Sequence, residues 1–261
     1  MNAALDKLGR GELVLCLGLR QARSLDIVML AAAAGFDAVY VDLEHSPLSI
    51  ETASMLCVGA PGAGVTPLVR VPSHAPDAVS RALDGGAQGL LVPHVNSAEE
   101  ARAIVAAARF PPIGRRSVMG STPALGYRSA PLAEVITTLN RETLIIAMIE
   151  TPQAVERAAD IAAVDGIDML LIGSNDLCTE MGIPGALRDP RLIAAYKKVA
   201  AACRAHGKYL GVGGVRGDAE LQGRLLALGA RMLIAGSDTS YLEAALRKDV
   251  QTLRTLSSPR P

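Results

Sequence analysis

The sequence predicts a (β/α)8 TIM barrel. Three observations carry the prediction: eight short apolar runs recur along the chain, helical patterns lie between them, and one handover from helix to strand appears three times. The runs are residues 13–19, 38–44, 67–71, 89–93, 144–150, 169–174, 209–214 and 232–237. Each is bounded by glycine or a polar residue, as expected of parallel strands covered on both faces. The handover reads Gly35-Phe36-Asp37-Ala38-Val39, Gly166-Ile167-Asp168-Met169-Leu170 and Gly229-Ala230-Arg231-Met232-Leu233. A glycine just past a helix, followed at once by a buried strand, is how a helix passes the chain to a parallel sheet. Eight such units in 261 residues match a closed barrel. An open doubly wound sheet fits less well, because no GxGxxG follows the first run. Residues 1–261 are read as one catalytic domain, with 257–261 as a frayed tail.

The helices follow from their caps. Ser24 is expected to cap a run through Ala33 that stops at Gly35. Ser97 with Glu100 makes a capping box before residues 101–109. Thr151-Pro152 and Asp189-Pro190 each put a capping residue before a first-turn proline, and Asp218 opens a helix ending at Gly229. Residues 111–130, rich in glycine, serine and arginine, read as a long loop after the fourth unit, followed by an extra helix from Pro131.

Composition narrows the function. Basic and acidic residues both total 26 and aromatics are 3%, so neither a polyanion nor a stacked base is an expected partner. No apolar run is long enough to span a bilayer, and the first seven residues lack a signal-like core. Cys16, Cys57, Cys178 and Cys203 form no CxxC pair and read as reduced core cysteines of a cytoplasmic protein.

In a barrel the chemistry gathers at the carboxyl ends of the strands. Here they end in Asp42-Leu43-Glu44-His45, Arg70, Pro93-His94, Glu150, Gly173-Ser174-Asn175-Asp176, Gly213-Gly214 and Gly236-Ser237-Asp238. Glu150 and Asp176 follow adjacent strands; two carboxylates at one mouth repel unless a cation or proton lies between them. Either alone reads as a helix cap; the pair reads as oxygen ligands for a hard divalent ion, Mg²⁺ or Mn²⁺, with Co²⁺ or Zn²⁺ as alternatives. His45 is the natural proton-transfer group near neutral pH, against the plain reading of a loop histidine. His94 has weaker neighbours, and His74 and His206 read as structural or solvated. Arg70 suits a carboxylate or a developing oxyanion, since a guanidinium inside a mouth is costly without an anion. None of the five lysines ends a strand, which argues against a Schiff base; carbonyl chemistry here would need a metal as electron sink.

Five segments together, Val41-Asp42-Leu43-Glu44-His45-Ser46-Pro47, Leu91-Val92-Pro93, Arg109-Phe110-Pro111-Pro112-Ile113-Gly114, Met148-Ile149-Glu150-Thr151 and Ile172-Gly173-Ser174-Asn175-Asp176-Leu177, resemble the HpcH/HpaI family of metal-dependent (class II) pyruvate aldolases. The likeness runs from about Leu13 to Leu246. It implies a barrel whose last helix is exchanged between subunits, assembled as a hexamer. It implies Glu150 and Asp176 as metal ligands, His45 as general base and Arg70 as the transition-state cation. Asp84 matches an acid that supports the histidine, although the sequence places it before Gly85-Gly86 on the amino-terminal side, where it would act across a subunit interface. The backbone at Ser174, Asn175 and Asp176 would receive the pyruvate carboxylate. Two departures bear on substrate: Met148 stands where family members acting on dicarboxylates commonly carry glutamine, and Ser174-Asn175 replaces Pro-Ala.

The expected reaction is the making or breaking of the bond between pyruvate, as its enolate, and an aldehyde. The aldehyde is expected beside loop 111–130 and Arg20-Gln21-Ala22-Arg23, with Arg23, Arg115, Arg116, Tyr127 and Arg128 near its polar tail or, individually, as solvated cations. An oxaloacetate decarboxylase or acyl-CoA lyase is the alternative within the same chemistry. A phosphosugar isomerase is the alternative outside it, with Gly213-Gly214 and Gly236-Ser237 as a phosphate cradle.

Overall fold

The structure is a computed structural model and describes residues 2–257. Eight parallel strands close into a barrel in sequence order. They are β1 (Val14–Leu19), β2 (Ala38–Asp42), β3 (Thr66–Arg70), β4 (Gly89–Val92), β5 (Leu144–Ile149), β6 (Met169–Gly173), β7 (Tyr209–Gly213) and β8 (Ala230–Ser237). Each observed strand starts or stops within two residues of an apolar run. The three handover glycines adopt φ of +89°, +94° and +107° at Gly35, Gly166 and Gly229.

The described residues form twelve helices around and below the sheet: α1 (Ala3–Gly9), α2 (Asp26–Ala33), α3 (Ile50–Gly59), α4 (Pro76–Asp84), α5 (Ala98–Ala108), α6 (Leu132–Glu142), α7 (Pro152–Glu156), α8 (Ala158–Ala162), α9 (Ser174–Glu180), α10 (Pro190–Ala205), α11 (Ala219–Ala227) and α12 (Asp238–Ser257). Thr151, Asp189 and Asp218 cap α7, α10 and α11 through their side chains, as expected. Two caps differ in detail. Ser24 bonds the Asp26 carboxylate instead of a backbone N–H, so α2 starts later than expected. Glu100 accepts from Asn96 N, one residue ahead of the cap, while Ser97 accepts from Glu100 N. Of the expected tail, residues 258–261 lie outside the described residues. No helix among the described residues is long and apolar enough to cross a membrane.

Strand alternation divides the core in two. Outward residues such as Val39, Val41, Ile145, Ile149, Leu170 and Ile172 pack under the helices. Inward residues, among them Ala38, Tyr40, Leu68, Leu91, Ile146, Met148, Met169, Leu171 and Met232, fill the barrel. Ala4 and Leu8 of α1 join this inner cluster from below. Asn2 fixes the plug, its side chain donating to Gln88 O and Glu142 O while Ala4 N donates to Thr66 Oγ1. No periodicity in the sequence points to this seven-residue helix.

Loop 111–130 corrects an expectation. It joins α5 to α6 ahead of β5, so it lies on the helix-to-strand side, the amino-terminal end of the barrel. Arg116 is buried there, 2.6 Å from Asp84 Oδ1 and stacked on Phe110. Pro123 lies against Gly86. Arg109 is also structural: it bonds Asp168, Gly166 O and Asn140 O.

Candidate active site

The inward parity of the strands builds the mouth. Adding two residues to Tyr40, Leu68, Met148 and Leu171 along β2, β3, β5 and β6 gives Asp42, Arg70, Glu150 and Gly173. These residues therefore face the barrel axis at its carboxyl end, directly above an apolar floor. A cavity of about 260 Å³ opens there, with Arg20, Arg70, Met148, Glu150, Ser174 and Asp176 among the residues that line it. That volume is just below the usual range for small-molecule sites.

Arg70 and Asp42 are direct partners across the β2–β3 register. Arg70 Nε donates to Asp42 Oδ1 at 2.9 Å and Nη2 to Oδ2 at 2.5 Å. Arg20 Nε adds a third bond to Asp42 at 2.8 Å. Burial pushes the Asp42 carboxyl up, but the hydrogen bonds and charge of Arg70 outweigh it and hold the group below its ordinary range. The anion that a buried Arg70 demands is thus supplied by the protein. Asp42 was visible at a strand end, but no role was assigned to it. Arg70 Nη1 also stands 2.9 Å from Glu44 Oε2, close enough for ion pairing but out of line for a hydrogen bond.

Glu150 contrasts with this. It is 1% exposed, yet among the described residues no arginine or lysine pairs with it. It accepts the His94 backbone N–H at 2.9 Å, and His94 Nδ1 lies 3.5 Å away. Burial raises its pKa; the Asp176 and Glu44 charges add to the rise and His94 opposes it. Space for the carboxylate is kept by Gly173, where a Cβ would fall 2.6 Å from Glu150 Oε1. A buried acid with a reserved hollow, a second carboxylate nearby and, among the described residues, no arginine or lysine to pair with suits a divalent cation. Among the described residues no cluster of three His, Cys, Asp or Glu is preassembled as a metal cage. Two carboxylates with water and substrate oxygens making up the remainder is the pattern of Mg²⁺ and similar ions.

The other expected residues fall as follows. Asp176 is exposed in the first turn of α9 and lines the cavity. Asn175 lies beside it. The Ser174 hydroxyl is already engaged, donating to Gly213 O at 2.6 Å and accepting from buried Tyr196 OH at 2.8 Å, so only its backbone is available. Met148 forms apolar floor. His45 sits at the rim, its side chain 54% exposed and its Nε2 3.6 Å from Glu44 Oε2. Asp84 is not brought to this mouth; it ends α4 at the opposite end of the barrel, paired with Arg116. Of the five residues expected near the substrate tail, none lines the cavity, and Arg23 donates to Gln21 O.

His94 is placed more centrally than its sequence suggested. Its ring stands between two carboxylates, 3.3 Å from Glu44 Oε1 and 3.5 Å from Glu150 Oε2. Its φ of +53° is unusual for a non-glycine residue and aims its N–H at Glu150. The signal available was its place after Pro93 at a strand end.

Comparison with known proteins gives the family. A family model described as HpcH/HpaI aldolase/citrate lyase matches residues 17–245. The chain is 41% identical to the 4-hydroxy-4-methyl-2-oxoglutarate aldolase tasA of Hapsidospora irregularis, over 92% of this chain and 90% of that one. It is 37% identical to the 4-hydroxy-2-oxo-heptane-1,7-dioate aldolase of Salmonella arizonae, over 90% and 88%. Among solved structures, an HpcH/HpaI aldolase from Desulfitobacterium hafniense superposes with a TM-score of 0.93 at 35% identity, covering 98% of both chains. The strand-end charges, the closed barrel and these matches lead to one conclusion: the chain belongs to the HpcH/HpaI aldolase/citrate lyase family and is a carbon–carbon lyase.

Proposed function

We propose that this enzyme cleaves 4-hydroxy-2-oxo acids into pyruvate and a carbonyl compound, and runs the reverse addition. The observation that carries the reading is Glu150, buried without an arginine or lysine partner among the described residues, at the same mouth as the rigidly held Arg70. Glu150 and Asp176 hold a divalent ion, Mg²⁺ or Mn²⁺ first and Co²⁺ or Zn²⁺ as alternatives. Such an ion, when bound, polarises the 2-oxo group and neutralises charge developing on the three-carbon fragment.

The protein's own groups do the rest. His45 takes the proton of the substrate's 4-hydroxyl, directly or through water. The C3–C4 bond breaks, its electron pair passing to C3 as the 2-oxo carbon becomes an enolate; C4 leaves as an aldehyde or ketone. A proton returned to C3 completes pyruvate. Arg70 faces the developing oxyanion, and because Asp42 fixes its fork no reorganisation is needed in the transition state. The backbone at Ser174, Asn175 and Asp176 receives the pyruvate carboxylate, and Met148 gives its methyl group an apolar seat. Asp84 is too remote within its own chain to support His45 and would serve a neighbouring subunit.

An oligomer is part of this reading. Residues 241–256 of α12 are all exposed, and Leu242, Leu246, Val250, Leu253 and Leu256 form a stripe along it. Leu25, Met29, Leu30, Met55 and Val58 on or beside α2 and α3 are likewise exposed. The stripe supports exchange of the last helix between subunits. Replacing Leu242, Leu246 and Leu253 with serine should lower the sedimenting mass of the assembly.

The deciding experiment strips the metal, restores Mg²⁺, Mn²⁺, Co²⁺ or Zn²⁺, and follows pyruvate release. Release from 4-hydroxy-2-oxo acids, abolished by Glu150→Ala and inhibited by oxalate, is expected. Equal rates without metal would overturn the assignment; faster release from oxaloacetate alone would move it to a decarboxylase, and turnover of acyl-CoA esters alone to the lyase branch. The phosphosugar reading has less support, because the space beside Gly213 and Gly214 is taken by Ile234 and Asn175.

A further inference from the structure

Three arginines line the cavity, and they are not equivalent. Arg70 and Arg20 share the carboxylate of Asp42. Arg216, in the turn after β7, forms no ion pair among the described residues. The acids nearest to it in sequence and along the rim are committed elsewhere. Asp218 binds Arg188 through two bonds of 2.8 Å. Asp238 is filled by backbone N–H groups of Arg20, Gln21, Ala22 and Thr239.

Arg216 is nevertheless held in place. Its guanidinium lies 4.4 Å from the centroid of the Tyr241 ring, and Nη1 donates to Ser240 O at 3.1 Å. Tyr241 is itself fixed by its hydroxyl on Ala235 O at 3.1 Å and an edge contact with Phe36. Gly236, at φ +156°, makes this possible: a Cβ there would come 3.1 Å from Arg216 Cδ and 2.8 Å from Tyr241 Cε2. Arg216 is exposed, and among the described residues it makes this one hydrogen bond, so most of its five guanidinium N–H groups are free to meet solvent or a ligand. A stacked arginine with free donors at a cavity wall is suited to a planar anion.

We propose that Arg216 selects the leaving half of the substrate, binding a carboxylate carried by the carbonyl fragment. The inference rests on the retro-aldol reading and adds to it the residue that reads a second carboxylate beyond the bond that breaks. It also relocates recognition of that fragment from loop 111–130 to the β7 and β8 turns. Arg216 touches no breaking bond in this scheme; it sets specificity.

The test uses the metal-loaded enzyme and two readouts. In binding, calorimetry compares 2-oxoglutarate with 2-oxovalerate, two five-carbon 2-oxo acids that differ in the distal carboxylate. Native protein should prefer 2-oxoglutarate, and Arg216→Gln should shrink that preference at least tenfold. Arg216→Lys should keep part of it, and Tyr241→Leu should lose a smaller part than Arg216→Gln. In turnover, the ratio of kcat/KM for a dicarboxylic over a neutral-tailed 4-hydroxy-2-oxo acid should fall by a similar factor, mainly through KM. An unchanged binding ratio in Arg216→Gln overturns the proposal. If native enzyme releases no pyruvate from either substrate yet the binding ratio collapses, the aldolase reading fails while the anion site stands.

Discussion

The two ends of the barrel are made from the same eight strands but treat charge differently. At the amino end Asn2, Thr66, Glu142 and Asp168 have their partners, Asp84 holds Arg116, and Ala4 and Leu8 close the bottom. At the carboxyl end, among the described residues, a deeply buried glutamate has a histidine but no arginine or lysine beside it, and an arginine has no acid. The difference separates two jobs done by the same residue types. Satisfied charge stabilises; charge left incomplete around a cavity is waiting for a ligand.

Arg70→Ala tests the comparison most severely, because Arg70 belongs to both categories. Pyruvate release should fall about 10²–10³-fold, and stability by about 3–5 kcal/mol as Asp42 is left buried beside Arg20 alone. A pH series on denaturant unfolding adds a signature. Asp42 titrates below its ordinary value in the fold, so the pair's contribution is present above about pH 3.9 and disappears as pH falls through the lower folded value. That extra acid sensitivity should be absent from Arg70→Ala.

Glu150→Gln should separate function from stability. The loss of turnover should again be about 10²–10³-fold, but metal-free protein should melt no lower than native, since a buried charge without a cation has been removed. A clear drop in Tm would make Glu150 a structural residue and break the contrast. Leu8→Ala should do the reverse at the other end: about 2–4 kcal/mol of stability lost with kcat retained. The smallest expected effect is metal stabilisation. At a hundred times its Kd, Mg²⁺ or Mn²⁺ should add about 2.7 kcal/mol to native protein and nothing to Glu150→Gln. The gain should be larger at pH 8 than at pH 5, because the raised pKa of Glu150 lets protons compete with the ion at the lower pH.

The strands were legible because burial on both faces leaves little except apolar residues between two polar ends. The mouth followed from them, since Glu150, Arg70 and Asp176 interrupt or terminate those runs. Other features depend on distance and were not legible. The partnership of Asp42 with Arg70 needs the parallel register. His94 gains its place only when β4 lies beside β5. Helix α1 is too short to carry periodicity, and it is stable only because the barrel interior accepts Ala4 and Leu8. Loop 111–130 was legible as a loop but misread in location: a segment ahead of β5 must lie at the bottom. Nothing in the sequence singles out Arg216, because neither its stacking on Tyr241 nor the engagement of Asp218 is visible in one dimension.

Gly173 carries no functional group, yet the mouth cannot tolerate its replacement. Alanine there would push a methyl against the Glu150 carboxylate, 2.6 Å from Oε1, from one strand away. A mutational screen scored by turnover would therefore flag position 173 as strongly as an acid or a base. The inactive clone would retain every reactive atom, and its defect would be one of occupied space.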